Sequence, residues 1–593
     1  MSEKDKKTDW SYLESIRNPE KRETGKVSRA SGSSEIVPIE QTDVPAPLNP
    51  GIPDVDSLGF LMRLKKRGLE KKATVRELET YYEKRLDVLA YKLERAGQVE
   101  KARSHLVAEE YLNPYFPDGS VVSAWRLRIS PAKPSVSNNF LLKRPRSPMG
   151  ESKNDPLRLD FDRQLKLEFH GSTVTSDAGL LAYRELDDAL ALTGNAATRL
   201  HDARTGANTQ HSLLALLRQS LYSRLAGYED INDAERLCLD PAMRTVVGGR
   251  AKDNTAASTS EMARFETETL SSKENLKHLI DLSGKWIDQA HRHRKLTKLI
   301  LDMDSSVSET YGHQEGTAYN GYFACTCYHP LFLFNQFGDL ERVMLRRGNH
   351  SSAKFWRRLL LPVIERYRDR DIPKYFRGDS AFALPKLLRL LEWEGFRYAI
   401  RLKSNPVLQR KIAHLLKRPV GRPSHKPKKF YASFRYRAES WEQARRVVVK
   451  VEWHAGELFP RVGFIVTNLK WRCKRVVRFY NARGTAEQWI KEGKNAVKWT
   501  KLSCQRFKDN EARLQLFALA YNLGNFLRQL VLPKPIRSWT LRTLREKLVK
   551  IGAKVVSHAK YVVFQLAEVA VPRPVFAAIV KRIGRLRLAC ASG

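Results

Sequence analysis

Residues 480–494 read YNARGTAEQWIKEGK. Tyr480, Arg483, Glu487 and Lys494 follow one another at spacings of three, four and seven, which puts all four on one face of a helix. That face carries one carboxylate between two cations, with a phenol at its start. A helix buried only for packing has little use for such a set. A helix that holds a metal ion against a phosphodiester does. Glu492 lies about 140° round the same helix from Glu487, at about 100° per residue, and reads as a solvent-face charge. Trp489 and Trp499 are read as core residues, with base stacking as the functional alternative.

One carboxylate does not make such a site. Cleavage of a phosphodiester and strand transfer are in-line displacements at phosphorus. Two metal ions about 4 Å apart can activate the attacking oxygen and stabilise the leaving one. Magnesium prefers oxygen ligands and keeps waters, so a few carboxylates from separate elements suffice. Two aspartates upstream qualify. In LILDMDSS, Ile300, Asp302 and Asp304 share one face of a strand, and Leu299, Leu301 and Met303 share the other. Asp304 is last, where a strand meets its loop, and is the expected ligand; Asp302 is left to assist. In YFRGDSAF, Asp379 falls just past a strand end, after a glycine that permits close approach of a ligand. The expected catalytic and metal-binding trio is therefore Asp304, Asp379 and Glu487, with Mg2+ or Mn2+.

The surrounding pattern is α/β. KLILDMDSS, two strands broken at Pro330 and ERVMLRRG give strands with short connections. A helix over SAKFWRRLLLPVIERYRDR, the strand before Asp379, a helix over LPKLLRLLEWEGF and the strand RYAIRLKS follow. That order suggests a mixed sheet covered by helices.

The whole chain agrees with a nucleic-acid partner. It has 593 residues, enough for several domains, and 105 Lys+Arg against 65 Asp+Glu leave a net charge of +40. Six cysteines form no disulfide framework, and Cys325 and Cys327 read as strand residues rather than zinc ligands. No apolar run approaches the roughly 18 residues of a membrane span, and MSEKDKKTDW is unlike a secretion signal. The expected place of work is the cytoplasm.

Residues 1–54 are polar and Pro/Ser-rich and read as disordered; 55–112 show helical periodicity of unknown role; 113–156 read as a linker. Residues 157–290 read as a helical, DNA-binding region with Arg204, Arg218, Arg224 and Arg236 as phosphate contacts. Residues 291–404 hold the first part of the catalytic domain, 405–470 a basic β-rich insertion, 471–532 the catalytic helix and the completion of that domain, and 533–593 a basic, mostly helical tail. The stretch 401–450 has fifteen Lys/Arg against two Glu. Within it, Arg422, Lys426, Lys428 and Lys429 are expected to track DNA phosphates, beside Tyr480, Arg483 and Lys494 near the carboxylates. Gly421-Arg422-Pro423 resembles the core of a minor-groove hook, but Val420 stands where the flanking arginine would be.

Taken together, Asp304, Asp379 and Glu487 lie in the order Asp, Asp, Glu, 75 and 108 residues apart. With Tyr-x2-Arg-x3-Glu-x6-Lys, this resembles the DDE transposases of bacterial insertion sequences, in the branch known as transposase DDE domain group 1. FHGSTVTSDAGLLAYRELD, YGHQEG, RGDSAFALP, FPRVGFIVTNL and FALAYNLGNFLRQL carry the same likeness, which spans about residues 160–590 and leaves out the first 156. The resemblance implies an RNase H-like sheet flanked by helices, interrupted by the β-rich insertion and preceded by a helical domain. It implies metal-dependent cleavage at element ends and strand transfer. The partners implied are double-stranded DNA with terminal inverted repeats and target DNA, met by a homodimer beside the bacterial nucleoid. An RNase H-like nuclease without strand transfer and a catalytically inactive DNA-binding protein are the alternatives.

Overall fold

In the computed structural model of the chain, the alternating residues of Leu299–Ser305 form strand β1 of an eight-stranded sheet. The structure describes residues 157–158, 166–167 and 173–591, apart from 206–208, 252–254, 420, 422–424 and 559–560. The readings of 1–54, 55–112 and 113–156, and of Arg422, lie outside the described residues.

Numbering only the strands of this sheet, β2 is Leu331–Phe334, β3 Leu340–Met344, β4 Lys374–Gly378 and β5 Arg397–Leu402. Three more follow: β6 Lys428–Tyr436, β7 Arg445–Trp453 and β8 Arg461–Thr467. The order across the sheet is β6-β7-β8-β5-β4-β1-β2-β3. β1 is antiparallel to β2 and parallel to β4, and β5 is parallel to β4. The basic insertion does not form a body of its own. Its strands β8, β7 and β6 continue the sheet antiparallel from β5, starting with Ala399 opposite Thr467. Alternation explains this: Phe464 and Val466 join the same buried cluster as Tyr398 and Ile400.

The helices needed below are α1 Leu180–Leu190, α2 Leu213–Ala226, α3 Lys273–His291, α4 Trp356–Arg366 and α5 Pro385–Trp393. They continue with α6 Cys473–Asn481, α7 Gly484–Glu492, α8 Phe507–Phe526 and α9 Arg573–Ala591. Leu299, Leu301 and Met303 face α4 and α5 in one core. Ile300, Tyr375, Ala399 and Ile465 lie on the other face, against Val476 and Val477 of α6. Asp302 and Asp304 belong to that second face, as the strand alternation requires.

α8 is buried on all sides from Asp509 to Phe526. Its polar residues close the open edge of the sheet. Glu511 accepts the Leu345 N–H at 2.7 Å, Gln515 donates to the Val343 carbonyl at 3.0 Å, and Asn522 bonds both the N–H and the carbonyl of Leu340 at 2.8 and 3.0 Å. An edge strand paired this way is no longer available to another chain.

The helical region ahead of β1 shares one core with α8, including Leu217 and Leu221 of α2 and Leu279 of α3. Two of its four expected phosphate contacts are internal. Arg218 is buried against Asp187 and Asp188, and Arg224 against Glu266. Arg204 pairs with Asp202 at 2.7 Å, and Arg236 is exposed. The tail also departs from the helical expectation. Its β-branched runs form a hairpin, Ala553–His558 with Tyr561–Leu566, which pairs with Val174–Thr175 before α9 begins. Among the described residues no helix is long and apolar enough to cross a membrane.

Candidate active site

β1 and β4 run in parallel and deliver Asp304 and Asp379 to the same end of the sheet. Asp304 is the penultimate residue of β1, and the Ser305 N–H donates to its Oδ1 at 3.0 Å. Asp379 is the first residue past β4 and caps a short 3-10 turn by accepting the Ala381 N–H at 2.9 Å. The close approach at Gly378 is to Phe382, 3.0 Å from where a Cβ would stand, rather than to an open ligand space.

Residues 480–494 are not one continuous helix. α6 ends at Asn481, Ala482 and Arg483 form a turn, α7 runs to Glu492, and a wider π turn takes Gly493–Val497. Arg483 is buried. Its Nη2 stands 2.8 Å from Asp304 Oδ2, and its Nη1 donates to Glu487 Oε1 at 3.0 Å. Its Nε is buried without a partner.

Burial is the largest influence on Asp304, whose carboxyl is pushed up to about 6; Arg483 pulls it back, and Asp379 and Glu487 push it further up. Tyr480 rises for the same first reason, burial, and it too responds to Arg483, Asp379 and Asp304. Five of the expected residues, Asp304, Asp379, Glu487, Arg483 and Tyr480, are therefore in one electrostatic neighbourhood.

Lys494 has a different neighbour. Its Nζ donates to the Val307 carbonyl at 2.9 Å, tying the π turn to the loop just after β1. Burial lowers its pKa, partly offset by Glu309. Asp302 is also settled by its contacts. It is fully buried, and Arg377 grips it with both Nε at 2.7 Å and Nη2 at 2.5 Å while donating to the Phe479 carbonyl at 2.9 Å. Asp302 thus positions α6 on the sheet. Glu492 is not on a solvent face. It pairs with Arg528 at 2.8 Å, because the side of α7 opposite Glu487 faces α8 rather than water. Trp499 is fully buried and stacks on Phe332 at 4.8 Å, and Trp489 leans on Phe334, so both are core residues.

A groove of about 160 Å³ leads away from Tyr480 over the face of β5, β8 and β7. Arg401, Lys450 and Arg461 line it beside Tyr480, Asn481 and Glu452; Lys450 pairs with Glu452 at 2.8 Å and Arg461 with Glu457, and nothing stands within 4 Å of the position a Cβ would take on its Gly463. These cations escaped the sequence reading. Their signal was the alternation of RYAIRL, which places Arg401 on the same face as Ala399. Lys428 and Lys429 open the edge strand β6, with Lys426 just before it; Lys429 reaches Glu452 at 3.5 Å. Five strand spacings of about 4.8 Å separate β6 from β1, so these lysines stand roughly 24 Å from Asp304.

Residues 157–588 match a known family, transposase DDE domain group 1. The chain belongs to that family. It is therefore a DDE transposase, an enzyme that acts on DNA. No curated protein matches the chain. Among solved structures it is similar to a cryo-EM structure of the piggyBac transposase synaptic complex with hairpin DNA. That likeness is loose: 12% identity, TM-score 0.35, covering 63% of this chain and 80% of that one.

Asp304, Asp379 and Glu487 offer only oxygen donors, the type a hard divalent cation takes. Among the described residues no three His, Cys, Asp or Glu side chains stand together closely enough to hold a metal as they are. The positive charge that Asp304 and Glu487 share is the Arg483 guanidinium.

Proposed function

We propose that this transposase is of the bacterial insertion-sequence type with the Tyr-Arg-Glu-Lys signature, that it cuts DNA at the terminal inverted repeats of its element, and that it joins the ends to target DNA. The observation that carries this reading is Arg483 joined to Asp304 from β1 and Glu487 from α7, with Asp379 from β4 acting on the same Asp304 charge. The order β3-β2-β1-β4-β5, an antiparallel meander followed by two parallel strands joined through helices, supports an RNase H-like catalytic sheet.

Asp304, Asp379 and Glu487 would hold the metal, magnesium or manganese, which when bound supplies activation of the attacking oxygen and neutralises charge on the leaving one. The chain's own groups do the rest. Arg483 orients Asp304 and Glu487 and offers its unpartnered Nε to a phosphate oxygen. Lys494 fixes the loop after Asp304. Tyr480 and the groove beyond it guide the strand that leaves the site, with Arg401 as the phosphate contact; Lys450 and Arg461 are already paired with Glu452 and Glu457. The lysines of β6 lie too far out for the scissile phosphate and serve the flanking duplex. The working unit is a homodimer on DNA in the bacterial cytoplasm, beside the nucleoid.

The test is incubation with a duplex bearing the element's terminal repeat, with magnesium and with chelator, resolving nicked and joined products. Magnesium-dependent nicking and joining, both lost in Asp304→Ala, are expected. Nicking without joining would leave a nuclease, and neither product would leave an inactive DNA-binding protein.

A further inference from the structure

Seven arginines are buried among the described residues, and six of them pair with a carboxylate. Arg346, just past β3, is the exception. It is 1% exposed, its Nε donates to the His329 carbonyl at 2.8 Å, and its Nη1 reaches the carbonyls of Ser351, Ser352 and Lys354 at 3.1, 3.0 and 2.7 Å. Its Nη2 is buried with no partner at all. Carbonyl dipoles satisfy donors but leave the charge uncompensated, and a buried charge without a counter-charge is costly.

Arg346 lines a cleft of about 560 Å³ together with Arg347, His350, Phe355 and Arg358. Arg347 and Arg358 are exposed, and the Nδ1 of His350 is a second buried atom without a partner. Phe355 has φ 64°, a strained value for a bulky side chain, and strain of this kind gathers at ligand sites. The carboxylate in the cleft, Glu511, is already taken by the Leu345 N–H and by Gln515. Burial raises its pKa, which further reduces its value as a counter-charge.

The cleft lies at the catalytic end of the sheet. Asp304, Phe332 and Val343 stand abreast on β1, β2 and β3, and β3 runs in the direction of β1. Arg346 follows Val343 by three residues. Two strand spacings of about 10 Å in all and three residues of about 10 Å in all set Arg346 roughly 14 Å from Asp304, three to four phosphates at about 3.4 Å of axial rise along one strand.

We propose that this cleft is a DNA-phosphate subsite: Arg346 is the buried anchor, and Arg347 and Arg358 close on a backbone phosphate about three to four nucleotides from the one that is cut. The assignment rests on the transposase reading above and adds a contact outside the carboxylate site. Its ligand chemistry, a phosphate oxyanion, is shared with free phosphate, so the test separates the two.

The full-length protein and an Arg347→Gln/Arg358→Gln variant are titrated with end duplex in chelator by fluorescence anisotropy at several salt concentrations. Duplexes that carry a neutral methylphosphonate at one position each are included. The variant is expected to bind about tenfold more weakly, with the slope of log affinity against log salt flattened by roughly 0.9. One methylphosphonate near the third or fourth nucleotide should weaken the unaltered protein but not the variant. If the unaltered protein binds and cuts DNA while the variant keeps its affinity and slope, the subsite is overturned and the transposase reading stands. If the unaltered protein neither binds nor cuts, the transposase reading falls and the subsite with it. A thermal midpoint raised by inorganic phosphate through Arg347 and Arg358, without any effect of these residues on DNA, would make the cleft a free-phosphate site and overturn the proposal.

Discussion

Arg483 Nη2 lies 2.8 Å from Asp304 Oδ2 and so joins the turn between α6 and α7 to the last acidic residue of β1. Arg483 keeps helical dihedrals in that turn, so it still pairs with Glu487 four residues on, at 3.0 Å through its other amine, while Nη2 reaches the strand. The site is therefore organised around a cation that the protein supplies itself.

That arrangement has a pH consequence. Burial lifts the Asp304 carboxyl from the ordinary carboxylate value of 3.8 to about 6, against the pull of Arg483. Because the folded value lies above the unfolded one, the stabilisation is complete below about pH 4 and is lost as pH rises through about 6. Its size is on the order of 3 kcal/mol. Asp304→Asn, neutral throughout, should therefore unfold at a higher temperature than the unaltered protein at pH 7.5 in chelator, and the gap should close below pH 4. Calorimetry across that range checks it; a gap independent of pH would remove Asp304 ionisation as the cause.

The carboxylates should divide by function. Asp304→Ala, Asp379→Ala and Glu487→Ala should each reduce cleavage by at least about 10³-fold, since a metal ligand supplies several kcal/mol of transition-state stabilisation. End binding should change by no more than about threefold. Asp302→Ala should act through stability instead, costing about 3–5 kcal/mol because Arg377 is left buried and unpaired. Gel assays and melting curves on the same preparations separate the two groups. An Asp302→Ala protein with an unchanged midpoint and no cleavage would move Asp302 into the metal set.

DNA binding should depend on cations according to their internal partners. Among the described residues Lys428 and Arg401 have no carboxylate partner, whereas Lys429 pairs with Glu452 at 3.5 Å. Lys428→Gln and Arg401→Gln should each flatten the salt dependence of binding by up to about 0.9 log units per log unit of salt, on specific and random duplexes alike. Lys429→Gln should do less than half as much. Equal slopes for all three would show that the Glu452 pair opens on DNA.

Much of this is legible in the sequence. The two-residue period of LILDMDSS fixed which side of β1 carries Asp302 and Asp304, and the core clusters divide the strand the same way. The order of strands after it was readable because each apolar run is bounded by a turn or a helix. What was not legible depended on partners far away in sequence. Asp302 and Arg377 are 75 residues apart, so nothing local marks that aspartate as structural. The antiparallel continuation of the sheet by β8 needs the match of Phe464 and Val466 to a core built elsewhere. Glu511, Gln515 and Asn522 were visible polar positions on the helix, but their use in closing the β3 edge required knowing where that edge lay.

The Glu492–Arg528 pair shows how distant packing reaches the helix that carries Glu487. Arg528 Nη1 donates to both oxygens of Glu492, at 2.8 and 2.9 Å, and their side chains are only 11% and 16% exposed. The pair fixes the end of α7, one turn beyond Glu487, against the segment that follows α8. Removing Glu492 alone leaves a largely buried guanidinium held by neutral side chains such as Asn525, with its counter-charge gone. Glu492→Ala should therefore cost about 3 kcal/mol. Cleavage by the protein that remains folded should also fall, by roughly tenfold, because a shift of the α7 end on the order of 1 Å moves Glu487 away from Arg483 and Asp304. Replacing both partners by apolar residues of similar length, Glu492→Met with Arg528→Met, should recover most of the stability, since no charge is then left without a counterpart. It should not fully recover the rate, because the directional bond that holds the helix end is gone. Melting curves and single-turnover cleavage on the two single variants and the double variant form a closed cycle. Single and double costs that simply add would show that the two side chains do not couple, and that α7 is held in place by its apolar contacts alone.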